Sequence, residues 1–167
     1  PNIHVVYAAD DLSSATETRL AYLRSGDRRL DATSRAGLTG LTRWITRRTS
    51  IELGDPVGLS PDSDQLIFHP LIYWPLTENQ EALSEDEVKR VNHYLNAGGM
   101  LLIDTRDAAP TGFSSGNRTL MKALRGISVP PLQPVSEEHV LTRSFYLLNW
   151  FPGRWADADV WVAANAG

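Results

Sequence analysis

The sequence predicts an α/β layer fold, and three observations carry that prediction. Strand-like and helical segments alternate along the chain. One segment, Met100 to Asp104 (MLLID), is a continuous apolar run of the kind found in strands covered on both faces. It follows directly on a helix with clear start and stop signals, giving the helix-then-buried-strand order of a layered sheet.

Taken in order, residues 3–8 (IHVVYA) read as a strand followed by a polar, turn-like DDLSSAT. Leu20 to Asp27 (LAYLRSGD) reads as a short strand ending in a Gly-Asp turn. From Asp31 the pattern turns helical, because Leu38, Leu41, Trp44 and Ile45 recur at helical spacing with the arginines elsewhere. Residues 49–64 hold Gly54, Pro56, Gly58 and Pro61 and read as loop. LIFHPLIYW, Leu66 to Trp74, reads as a buried strand bent at Pro70.

The next helix is the best signalled. Ser84 and Glu87 form a capping box, Val88, Val91 and Leu95 form its apolar stripe, and Gly98-Gly99 stop it. After the MLLID strand, Thr119 to Leu124 reads as a short helix and VPPLQP (129–134) as a rigid connector. Ser144 to Leu148 and Val160 to Val162 complete the elements as late strands.

Bulk properties narrow the function. At 167 residues the chain is large enough for one domain with a real core. Net charge is −4, which predicts no nucleic-acid partner and no attraction to anionic lipid. There is no cysteine, so thiol catalysis, disulfides and thiolate metal sites are excluded. No apolar run approaches the roughly 20 residues that span a bilayer. Pro1 at the start and Gly167 just after VWVAA suggest a piece of a longer polypeptide.

In open parallel sheets ligands gather beyond the carboxyl ends of the strands. Asp104, Thr105, Arg106 and Asp107 stand at one such end, and Tyr73 and Trp74 finish another. His139 to Trp155 (HVLTRSFYLLNWFPGRW) adds one histidine, Arg143, Arg154 and five aromatics, Tyr146 and Trp150 among them. Asp104 serves either as a general base or as the cap of a turn. His139 serves either as its partner or as a hydrogen-bonded structural residue. Arg143 and Arg154 could clamp an anion, or pair with Asp104, Glu137 or Glu138 and pin loops. The aromatics stack a ligand or pack the core. A divalent metal would need Asp104, Asp107 and His139 together, and their spacing carries no metal signature, so no cofactor is expected. No phosphate loop and no G-x-S-x-G elbow is present.

Four segments (LAYLRSGD, FHPLIYWPL, GGMLLIDTRD and EHVLTRSFYLLNWFPGR) together resemble the domain of unknown function 4159. The resemblance covers about residues 19–165, with 1–18 as a lead-in segment and the domain running from 19 to 167, shortened at its carboxyl end. It implies a flavodoxin-like fold similar to class I glutamine amidotransferases, a mostly parallel sheet with helices on both faces. It also implies a large, membrane-anchored bacterial parent, often with a BatA-like amino-terminal region. In active amidotransferases a cysteine occupies an elbow after a glycine-led strand. That strand would be GGMLLID here, and the elbow would fall near Asp104 or Thr105, without its cysteine.

The expectation is therefore a non-catalytic domain that binds a protein or small-molecule ligand. Its face would combine Tyr73, Trp74, Asp104, Arg106, His139, Arg143, Tyr146 and Arg154. The rival is a hydrolase-type enzyme using Asp104 and His139 in acid–base or metal-assisted chemistry. A third reading gives the domain only an architectural role.

Overall fold

The structure is a computed structural model, and it describes residues 17–106, 115–138, 140–143 and 161–163. The chain divides into two compact units, Pro1–Ile127 and Ser128–Gly167.

In the first unit, β1 (Arg19–Leu23), α1 (Arg28–Arg48), β2 (Gly54–Leu59), β3 (Leu71–Pro75), α2 (Glu85–Asn96), β4 (Met100–Asp104) and α3 (Ser115–Ala123) follow one another. The four strands form one sheet in the order β2-β1-β3-β4, and every pairing is parallel. That order, in which the chain winds one way from β1 to β2 and then the other way to β3 and β4, is the flavodoxin-like arrangement. The predicted α/β class with helices on both faces holds.

Strand alternation separates two cores. Ala21 and Leu23 of β1 and Ile72 and Trp74 of β3 point to one face, where they pack with Val91 and Tyr94 of α2 and Ala123 of α3. Leu20 and Tyr22, with Leu71 and Tyr73, point to the other face and meet Leu38 of α1. α1 buries Leu30, Ser34, Leu38 and Thr42, four residues each one turn apart. Its six arginines (28, 29, 35, 43, 47, 48) are all exposed.

Several local readings need correction. α1 begins at Arg28 rather than Asp31, because Asp27 is its N-cap and accepts from the amides of Arg29 and Leu30. Residues read as loop contain β2. Among the described residues it is an edge strand, and Pro56 falls where its register with β1 shifts, a position that tolerates proline. A Cβ at Gly54 would lie 2.9 Å from Arg19 Nε, and one at Gly58 would lie 2.8 Å from the Tyr22 hydroxyl. Both glycines therefore admit side chains of the neighbouring strand. LIFHPLIYW is not one bent strand. Ser63 caps a 3₁₀ turn over Asp64–Phe68, and β3 starts only after Pro70.

The capped helix forms as predicted, with Ser84 and Glu87 exchanging both capping bonds and Gly98 at φ +91° beyond its end. MLLID is a strand, but it is not covered on both faces. Leu101 and Ile103 join the α2 and α3 core, whereas Met100 and Leu102 are 57% and 54% exposed. Among the described residues β4 is the sheet's edge, and α1 does not reach over it.

In the second unit β5 (Leu132–Pro134) pairs antiparallel with β6 (Trp161–Ala163). Part of the expected connector is thus a strand. A four-residue α4, Val140–Arg143, precedes residues that are not described, which include the expected strand 144–148. No helix among the described residues is long and apolar enough to cross a membrane.

Candidate functional site

The β1–α1 turn is built for rigidity. Ser25 donates to Asp31 Oδ1 through its amide (2.8 Å) and through its hydroxyl (2.7 Å), and Gly26 takes φ +80°. This holds Asp27 at the head of α1. There the Arg29 and Leu30 amides draw the Asp27 carboxyl below the usual carboxylate range. On the far side of the same crevice, Tyr73 of β3 reaches diagonally to the end of β4. Its hydroxyl donates to Asp104 Oδ2 at 2.6 Å. Burial, and then the hydrogen bond and charge of Asp104, push the Tyr73 phenol up to about 12, so it stays a donor at neutral pH.

Asp104 Oδ1 accepts the backbone amide of Arg106 at 2.9 Å. Both carboxylate oxygens are thereby engaged in holding the turn. Arg106 itself sits at φ +56°, the only described non-glycine residue with positive φ. A Cβ makes that conformation unfavourable, on the order of 1 kcal/mol or more.

These groups line a depression of about 700 Å³ with Arg29, Ser34 and Gly37 of α1. It lies at the carboxyl ends of β1, β3 and β4, on the α1 face, where the winding direction of the sheet reverses. That is the general location of ligand sites in open α/β sheets.

The predicted site residues divide into four groups. Tyr73, Asp104 and Arg106 converge. Trp74 does not join them: one residue along the strand, it points to the opposite face and is 3% exposed within the core. It is unavailable for stacking a ligand, a correction that follows from the two-residue period of the strand. Arg143 belongs to the second unit, where its Nε donates to Glu137 O at 2.9 Å and its guanidinium lies 3.9 Å from Glu138. Asp107, His139, Tyr146, Trp150 and Arg154 lie outside the described residues. Among the described residues no three histidine, aspartate or glutamate side chains are grouped to hold a metal.

Sequence reasoning missed the α1 contribution of Asp27, Arg29 and Ser34. Its signal was present: an aspartate directly before a helical pattern is a cap, and the head of the first helix borders the crevice.

A family model for a domain of unknown function, DUF4159, matches residues 19–166. The chain belongs to this family. No curated protein matches it. The DUF4159 match begins at the first residue of β1 and includes every strand and helix described above.

Proposed function

We propose that this DUF4159 domain is a non-catalytic binding module whose ligand seat is the crevice between the head of α1 and the ends of β3 and β4. The observation that carries the reading is the state of Asp104. Tyr73 and the Arg106 amide occupy one oxygen each, an arrangement suited to shaping a site rather than to accepting a proton from a substrate. The flavodoxin-like order also belongs to class I glutamine amidotransferases. The absence of cysteine removes their nucleophile while leaving a crevice at the strand ends. In this reading the domain is carried by a larger membrane-anchored bacterial protein.

A polar fragment library followed by amide chemical shifts tests the seat. Shifts should cluster at residues 25–34, 73 and 104–106. Clustering elsewhere, or none, would sink the proposal. The non-catalytic clause has its own test in a panel of ester, amide and phosphoester substrates. Turnover that disappears in Asp104→Asn with the fold intact would make the domain an enzyme.

A further inference from the structure

We infer that the ligand of this crevice is a small carboxylate, clamped between Arg29 and Arg106 and presenting hydroxyl donors to the remaining wall; the inference rests on the seat proposed above. The lining holds two acids and two guanidiniums. The acids are committed inward, since Asp27 caps α1 through two amides and Asp104 takes the Tyr73 hydroxyl and the Arg106 amide. The guanidiniums are not committed. Among the described residues neither Arg29 nor Arg106 makes a side-chain hydrogen bond or a close ion pair, although both stand near enough to Asp27 to lower its pKa.

A planar guanidinium is the group best matched to a carboxylate, and two on one rim can hold it from both sides. The backbone of Arg106 supplies an independent indication. A residue with a Cβ is kept at φ +56° where glycine would be unstrained. Strain retained at the mouth of a cleft points to a side chain needed in that position. The class of anion follows from charge balance. Two arginines and two aspartates leave the lining neutral, which suits a single charge. A phosphate dianion would bring a second negative charge into a lining that already holds both carboxylates. The free lone pairs of Asp27 and Asp104, and the hydroxyl oxygens of Thr33 and Ser34, remain as acceptors for ligand hydroxyls. Thr33 and Ser34 already donate their own protons to Arg29 O and Leu30 O.

Three matched probes test this in the whole chain: glycerate, glycerol and glycerol 3-phosphate, titrated while backbone amide shifts are followed. Glycerate should shift residues 29, 73 and 106, and glycerol at the same concentration should not. Glycerol 3-phosphate should bind roughly tenfold more weakly than glycerate. Arg29→Gln and Arg106→Gly should each weaken glycerate by about tenfold. Arg106→Gly should also keep or raise the melting temperature, which separates a lost contact from a lost fold. Equal shifts with glycerol would overturn the anion clamp while leaving the seat itself standing. Tighter binding of glycerol 3-phosphate would overturn the carboxylate class. Glycerate binding unchanged in both arginine variants, or silence from all three probes, would overturn the inference. In the last case the fragment screen shows whether the seat falls with it.

Discussion

The two faces of the sheet in the first unit are built to different standards. The face under α2 and α3 is deeply buried: Leu23, Ile72, Leu76, Val91 and Tyr94 are all at most 2% exposed. The face under α1 has a small buried core of Leu20, Tyr22 and Leu38. It carries the polar crevice at one end and leaves Met100 and Leu102 uncovered along β4. In the binding reading proposed above, stability and recognition are divided across one sheet. A ligand seat needs unsatisfied acceptors, room and some strain, all of which weaken a core. Placing them opposite the dense layer lets the fold tolerate them.

Four measurements would break or sharpen that contrast. Trp74→Ala, on the dense face, should cost about 3–5 kcal/mol by urea unfolding. A loss under about 1 kcal/mol would mean that the dense layer is not where stability resides. Gly99→Ala comes next, at about 2 kcal/mol, because a Cβ there would overlap the ring of buried Tyr94. Tyr94 cannot swing away without breaking its hydroxyl bond to Met100 O at 2.8 Å. On the α1 face, Tyr73→Phe removes only the bond to Asp104 and should cost about 1–2 kcal/mol. Amide exchange should accelerate at residues 104–106 and remain slow in α2. Acceleration spread evenly over residues 104–106 and α2 would erase the distinction between the faces.

The smallest effect is a dependence on acid pH. His69, 1% exposed where the 3₁₀ turn ends ahead of β3, places Nδ1 3.0 Å from Arg19 O, while its Nε2 is buried without a partner among the described residues. Burial holds its pKa below the ordinary 6.5. The unfolded chain then binds the extra proton first, so stability is fully present above 6.5 and falls as pH drops through that value. In His69→Asn, whose amide can still donate to Arg19 O, the decline between neutral and mildly acidic pH should be shallower. Identical slopes in the two proteins would remove His69 from the account.

The sequence made visible whatever depends on near neighbours. The Ser84–Glu87 box, the Gly98 stop and the apolar run of β4 rest on residues a few positions apart, and all three are found where they were expected. β2 escaped because its evidence is cross-strand. Gly54 and Gly58 look like loop residues until Arg19 and Tyr22 are laid beside them. The exposure of Met100 and Leu102 escaped for a similar reason, since an apolar run does not record whether a helix lies above it. Of the candidate site, Tyr73, Asp104 and Arg106 were legible as strand-end residues. Their union depends on the register that pairs Tyr73 with Leu102 and so brings Asp104 within reach diagonally. Trp74 was misplaced for want of strand parity.

The exposed arginines of α1 also bear on how the protein behaves in bulk. With a net charge of −4 and a pI near 5.5, the chain counts as an acidic protein. Yet one 21-residue helix carries six guanidiniums and a single carboxylate, that of Asp31. At physiological ionic strength the field is screened within about 8 Å, so a resin, a surface or a neighbouring molecule senses the nearest patch rather than the total. At that ionic strength and neutral pH the α1 face therefore presents itself as a base. Ion-exchange retention would be set by which side meets the matrix, and a single isoelectric point would describe the molecule poorly.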